Sequence, residues 1–520
     1  MVPRGRRRKT AALSEVTRKR WTLVAAIIGL NITILDETVV FLALPAINRS
    51  LHVSLSGQEW IVNAYLLSLS ALLLVGGSLA DLFGRRRLFL YGLGGFGVAS
   101  LACGLAPTGG ALIAFRLVQG AAAALVMPST LALLTASFRG EERGAAIGSW
   151  ASWGAVAAAV GPPVAGVLIG VMSWRAIFFL SLPLVAAAMG IGVWAIDESR
   201  NEQIAVRQID LAGAALAALG LGGLSFALVQ GPAQGWGDPT VLLAAAIGVV
   251  ALAGFVLQER RAASPMLPLR LFRLRNFRAA NGATLALYAI FNGNFFILTI
   301  YLQTALGYTP LAAGLATLPV TLLMITLASR LGGWAARIGP RLPMSAGILL
   351  TGAGLGLLAF LQPGDSYPLH VLPGVVVFGL GLALTVPPLT NTAVSAVPDS
   401  QAGVASGVND EAARVAALLG VAVVGLVFGT VFRMSLEKPD PALDPGRARV
   451  IQMARDQPSG ALEIPLPQDL RPQVLPELRG ASVDAYRGAM ATGVLIALAG
   501  AGLSFLSIQN STTARSLGER

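Results

Sequence analysis

Long apolar runs constrain this chain more than any other feature. A helix rising 1.5 Å per residue needs about 18 or more apolar residues to cross ~30 Å of hydrocarbon. Fourteen stretches reach that length, at about 21–46, 60–80, 88–106, 111–135, 143–171, 175–196, 209–229, 240–258, 279–304, 310–330, 342–361, 370–389, 403–432 and 485–508. They predict an all-α polytopic membrane protein. Composition agrees: 55% of the 520 residues are apolar and 12% charged, against about 25% charged in soluble domains. Sixty glycines suit helices that approach closely in lipid.

The basic residues set the expected orientation. Residues 1–20 carry eight Lys/Arg against the single acid Glu15, and an apolar run follows at Trp21. No short apolar region with a small-residue cleavage site intervenes, so the first run reads as a retained span. With the N-terminus inside, cytoplasmic tails and loops hold 26 of the 38 Lys/Arg, and the short outer loops and their helix ends hold only Arg49 and Arg175. This asymmetry predicts cytoplasmic termini in the inner (plasma) membrane, with the basic tail near anionic lipid. The +12 net charge therefore does not imply nucleic acid.

A division into parts follows: a basic tail 1–20, a six-helix half 21–196, two inserted helices within 197–278, a second six-helix half 279–508 and a tail 509–520. The second half carries the one long connection, an extracytoplasmic loop 433–484. Over 433–487 eight basic residues face eight acidic ones, so the segment gives no orientation signal. It reads either as a solvated loop or as an ordered hairpin over the outer mouth.

The two halves repeat. Ala124-Leu125-Val126-Met127-Pro128 corresponds to Ala383-Leu384-Thr385-Val386-Pro387, and Gly144 and Gly148 correspond to Gly403 and Gly407 at the same offset. Gly77 and Gly84-Arg85-Arg86 are echoed by Gly332 and Gly339-Pro340-Arg341. Repeats in one orientation place a site at the interface between halves, and the pattern predicts 6+2+6 helices.

Several residues resist a purely structural account. Gly77-Ser-Leu-Ala-Asp81-Leu-Phe-Gly84-Arg85-Arg86-Arg87 joins the second and third runs. A tight turn explains the glycines, but Asp81 at a helix C-terminus opposes the macrodipole and needs a cationic partner or a helix N-terminus. This stretch resembles the signature loop of the major facilitator superfamily. The resemblance implies a latch of Gly77, Asp81, Gly84, Arg85 and Arg86 that holds the outward-facing state. The fifth run, with Gly154, Gly161, Pro162 and Gly166, resembles the antiporter motif of exporters in that superfamily, although Val167 replaces one usual glycine. Generic small-residue packing is the rival reading.

Charges inside spans complete the set. Arg116 is costly in an apolar helix and either lines a cavity or snorkels; its surroundings resemble the fourth-helix motif, whose arginine is linked to proton transfer. Asp36 falls roughly 20 Å along the first span. Its neighbour Glu37 points about 100° away, so at least one of the two faces a cavity. The stretch 35–45 resembles the first-helix motif of fourteen-helix drug:proton antiporters, with Asp36, Thr38 and Pro45 matching and Phe41 and Glu37 departing. Asp410 and Arg414 at i,i+4 can pair on one face, leaving Glu411 without that partner; Asp410 and Glu411 stand where the family commonly has uncharged polar residues, a departure that could add a second protonation or cation site.

Other classes find little support. Cys103 is the single cysteine, and His52 and His370 fall in short loops, so neither a disulfide nor a metal cluster is implied. No Ser/His/Asp set and no nucleotide-binding glycine loop appears, which argues against an enzyme; asymmetric acids suit alternating access better than a passive channel. The resemblance implies a proton-coupled antiporter exporting amphipathic, cationic or hydrophobic small molecules. A lipid or metabolite transporter of the same fold is the alternative. No cofactor is expected. The expected partners are substrate, protons and membrane lipids, with the chain a monomer, and the candidate coupling and cavity residues are Asp36, Glu37, Arg116, Asp410 and Glu411.

Overall fold

The computed structural model describes residues 14–199, 210–262, 265, 267–398, 401–436 and 444–510. Residues 1–13 of the basic tail and 511–520 of the C-terminal tail lie outside them. The first half holds α1 (Glu15–Leu51), α2 (Leu55–Phe83), α3 (Arg85–Gly104), α4 (Gly109–Ser137), α5 (Gly140–Val171), α6 (Ala176–Phe179) and α7 (Ser181–Ala195). Next come α8 (Leu211–Gln234) and α9 (Pro239–Arg261), then α10 (Arg275–Thr304), α11 (Pro310–Ile338), α12 (Arg341–Leu358), α13 (Leu372–Ser395), α14 (Ala402–Ser435), α15 (Pro445–Asp456) and α16 (Arg471–Ser507). Every apolar run of the sequence is helical. Among the described residues, thirteen helices are long and apolar enough to cross a membrane, with α6 and α7 counted together. The remaining long helix, α2, has 29 residues and packs against α4, α8 and α14.

Small residues let the helices close. A Cβ on Gly76 would sit 2.0 Å from the Ala124 carbonyl oxygen, and one on Gly120 would sit 2.2 Å from that of Tyr65, so α2 and α4 touch backbone to backbone. The inserted pair α8 and α9 crosses the same way, through Gly223 and Gly248. This hairpin leans through α8 on α2 and α14, along the seam between the halves.

The repeat seen in the sequence reappears as repeated construction. Gly77 faces the ring of Pro128, and Gly332 faces that of Pro387. Gly84 and Gly339 both take positive φ, 112° and 89°. Each of these turns is filled by a polar residue that follows the last long helix of its half. The Arg86 amide donates to Glu198 (3.2 Å), and the Arg341 amide donates to the Asn510 side-chain oxygen (3.3 Å).

The segment after α14 is not a solvated loop. Its described part forms α15, a 3-10 turn at Pro458–Glu463 and the first fourteen residues of α16 before Ala485. Arg49 of α1 pairs with Glu463 at 2.7 Å, Gln58 of α2 donates to Ser459 at 2.7 Å, and Asn48 packs on Gly460. These contacts cap the end of the bundle opposite the start of α1, called here the distal end. His370 also departs from expectation, because it sits in a helical turn, Tyr367–Val371, rather than in a loop.

Candidate functional site

Residues from α1, α2, α4, α5, α10, α13 and α14 enclose a cavity of about 640 Å³ between the halves. Aromatic and apolar side chains dominate its wall, with Trp150, Tyr65, Tyr288 and Phe291 among them, and Glu37, Arg116, Asp410 and Arg414 supply the charge.

The distal end of this cavity is shut. Gln303 of α10 donates to the Leu42 carbonyl of α1 at 3.1 Å. Phe41 and Phe296 meet edge to face at 6.3 Å. A Cβ on Gly166 would lie 2.5 Å from the Leu311 Cα, and one on Gly314 would lie 2.7 Å from the Pro162 carbonyl. Toward the opposite end the glycines of α5 and α14 make no such contact: a Cβ added to Gly144, Gly148 or Gly403 would meet no atom of another element within 4 Å.

The fifth-helix motif is therefore a packing surface with two sides. Gly154 and Gly161 admit Leu30, Ile34 and Thr38 of α1, while Pro162 and Gly166 admit α11 of the other half. Pro162 and Pro163 lie inside α5, where each removes a helical hydrogen bond.

Asp36 and Glu37, adjacent in sequence, face different surroundings. Asp36 is buried and ion-paired with Arg116, which is 1% exposed. Gln119 donates to the second Asp36 oxygen (2.8 Å) and to Ser100 (2.8 Å), and it accepts from Arg116 (2.7 Å). Arg116 also donates to the Ile61 carbonyl at 3.0 Å and lies over the Tyr65 ring at 4.3 Å. Asp36 itself is turned from the large cavity toward a crevice beside Ile177 and Ser181. Arg116 connects the two, because its side chain also lines the cavity. The arginine does not snorkel.

Glu37 does line the cavity, and its partner is Arg414 of α14 at 2.8 Å, a bond between the halves. The i,i+4 pair of Asp410 with Arg414 is thus not formed. A second guanidinium nitrogen of Arg414 lies 2.9 Å from the Met127 sulfur. Asp410 faces the cavity, and one Glu411 oxygen is buried with no hydrogen-bond partner.

At the signature loop, Arg86 donates to the carbonyls of Gly192 (2.9 Å) and Val193 (2.7 Å). Glu198 accepts from the amides of Arg86 and Arg87 and so satisfies the N-terminus of α3. The Arg85 amide bonds to Ser199. Asp81 lies in α2, and its side chain falls outside the described residues.

Sequence reasoning missed Glu198, whose signal was an acid just beyond the end of an apolar run. It also missed Glu59. That carboxyl, 2% exposed, reaches from α2 into the space left by Gly425 of α14. The sequence map began its second span at residue 60, one position too late to flag an intramembrane acid.

The chain matches the Major Facilitator Superfamily over residues 26–421. It is 36% identical over 450 residues to the tetracenomycin C resistance and export protein of Streptomyces glaucescens, covering 85% of this chain and 83% of that protein. It is 35% identical over 427 residues to the multidrug resistance protein Stp of Mycobacterium tuberculosis, covering 81% and 79%. Its fold is similar to that of a bacterial homologue of the human lysosomal transporter Spinster, solved inward-facing and unoccupied (TM-score 0.64, 17% identity, 94% and 97% covered). Two helical halves around a shared cavity, and these matches along most of the sequence, make the chain a member of the major facilitator superfamily, a small-molecule membrane transporter rather than an enzyme.

Proposed function

We propose that this chain is a proton-coupled exporter of amphipathic, cationic or hydrophobic small molecules, working by alternating access. The observation that carries the reading is the Asp36–Arg116–Gln119 network set beside the cavity. An ionised carboxyl in an apolar span is tolerated only with a compensating charge. Arg116 supplies it and also lines the cavity, so a proton arriving on Asp36 frees the guanidinium to act on whatever the cavity holds. A substrate cation would favour the ionised form of the acids, and an outward-facing state would reload them from the acidic side. The relatives named for resistance and export agree with this direction of transport.

The remaining parts fall into place on this reading. Helix α2 is the fourteenth span, giving 6+2+6, and the end where α1 begins is cytoplasmic. The distal cap then faces outward, and the cavity opens inward. Gly77, Asp81, Gly84, Arg85 and Arg86 form a latch that is released in this inward-open state, with Arg86 held on the α7 carbonyls. The transporter acts as a monomer.

The test is transport in proteoliposomes. Asp36→Asn keeps the shape of the side chain and one of its two acceptor oxygens but cannot titrate. Export driven by a pH gradient should fall to the level seen without a gradient, while binding of neutral substrates survives. If Asp36→Asn still couples to the gradient and Glu411→Gln does not, the proton site belongs to α14.

A further inference from the structure

The role of Glu37 follows from what its carboxylate touches. It hangs into the cavity, 29% exposed at the side chain, and its one hydrogen-bond partner among the described residues is the Arg414 guanidinium of the opposite half. We propose that Arg414 is a tethered stand-in for the substrate's cation. Glu37 is then the recognition group for an ammonium or guanidinium carried on an apolar, aromatic body. Arg414 occupies that group until substrate arrives, and then moves to Glu411 on its own helix. This rests on reading the central cavity as the substrate site.

Three observations support the exchange. The first is how loosely Arg414 is held. Guanidinium offers five N–H donors, yet Arg414 has one carboxylate oxygen at 2.8 Å, one contact to a thioether sulfur, a weak acceptor, and a buried Nε with no acceptor at all. A fixed structural arginine such as Arg116 spreads its donors over an acid, an amide and a main-chain carbonyl.

The second observation is that a receiving site exists. Glu411 lies three residues before Arg414 on α14, and Asp410 four; residues at both spacings are neighbours on a helix surface. One Glu411 oxygen is buried without a partner, as is the Arg414 Nε. An orphan donor and an orphan acceptor at i,i+3 can meet by side-chain rotation, with no backbone movement. Arg414 therefore never has to stand unpaired in the apolar cavity, where a lone buried charge is strongly disfavoured.

The third is the balance of charge and surface. Asp36, Glu37, Asp410 and Glu411 are four carboxyl groups against the two guanidiniums of Arg116 and Arg414. An incoming cation reduces this excess of acid and an incoming anion adds to it. Tyr65, Tyr288, Phe291 and Trp150 line the same space, and aromatic faces attract organic cations. Release of Arg414 from Glu37 also removes a bond between the halves, so occupation of the site weakens the closed arrangement at that level.

The experiment is equilibrium binding of tetraphenylphosphonium, a permanent lipophilic cation, to the purified full-length protein in detergent, with neutral triphenylphosphine oxide in parallel. Glu37→Gln should weaken the cation about tenfold or more and leave the neutral compound unchanged. Arg414→Gln should act with the opposite sign. If Arg414 fills the site nine-tenths of the time, its removal tightens the cation about tenfold. Glu411→Gln should weaken the cation, because Arg414 then has a poorer place to go. The exchanged variant Glu37→Arg/Arg414→Glu restores a pair in reverse. It should keep the monodisperse elution of the wild type and lose the cation preference, which keeps the idea testable if Arg414→Gln does not fold. An Arg414→Gln affinity equal to or weaker than wild type, or cation binding retained by the exchanged variant, overturns the proposal. Transport is not read here, so a protein that binds as described but exports nothing would sink the exporter reading alone.

Discussion

The buried pair of Asp36 and Arg116 makes a demanding test of the electrostatic reasoning. Removing one member of such a pair costs about 3–5 kcal/mol, because the other is left charged and uncompensated away from water. Here Arg116 is 1% and Asp36 6% exposed, so solvent offers little relief. Asp36→Asn also creates a local conflict. Gln119 presents its amide nitrogen to one Asp36 oxygen while its own oxygen accepts from Arg116. An asparagine can accept from Arg116 or from Gln119, but its nitrogen then confronts a donor. Arg116→Gln should cost a similar ~3–5 kcal/mol by stranding the acid. The double variant replaces two charges with two amides of compatible size, and should lose only ~1–2 kcal/mol, the scale of imperfect hydrogen bonds. The cycle thus predicts a coupling energy of about 4 kcal/mol or more, measured by reversible unfolding in mixed micelles. Additivity within ~0.5 kcal/mol would refute the pairing. An Asp36→Asn protein as stable as wild type would mean that the carboxyl carries no charge in the resting protein and that Arg116 is held by its other partners.

Two further outcomes follow from the distal closure. Gly166→Ala places a methyl group 2.5 Å from the Leu311 Cα, a backbone atom that cannot rotate away; at ~1–3 kcal/mol of overpacking the distal ends of α5 and α11 should separate in a larger share of molecules, and an unchanged spin-label distance distribution would count against this contact as the closure. With Cys103 replaced by serine, a cysteine at exposed Gln468 should react with an impermeant maleimide in intact cells, and labelling only after permeabilisation would reverse the assigned orientation.

Much of this fold was legible because lipid demands long apolar helices, and long runs are hard to miss. The glycine and proline motifs were legible for a related reason: Gly84, Gly161 and Gly166 each sit where a side chain would collide with a neighbour. The capping segment was not. Its helices lie outside the longest apolar windows, diluted by proline and charge, and the signal was only the buried spacing of Val474, Leu478, Ala481 and Ala485. Reading that period would have started α16 at Arg471 and removed the solvated-loop alternative. Arg414 shows a different limit. Local spacing offered it Asp410 on the same helix, yet it binds Glu37, 377 residues earlier in the chain. No periodicity encodes a contact between halves.

The one-residue step from Asp36 to Glu37 lets a single helix serve two tasks. On α1, neighbouring side chains diverge by about 100°, so one acid reaches Arg116 inside its own half while the next reaches Arg414 across the cavity. A pair within one half survives when the halves move, and its response must be to a proton or to charge in the cavity. A pair between halves is broken by the movement itself. On the proposed exporter reading, the first pair would keep its setting through the transition and the second would change with it. Placing them on adjacent residues ties them to the same rigid segment, next to Thr38 and the Gly161 contact with α5. Shifting either acid by one position would turn it out of its site, which is the physical reason the substitution Glu37→Gln and the substitution Asp36→Asn should fail in different assays.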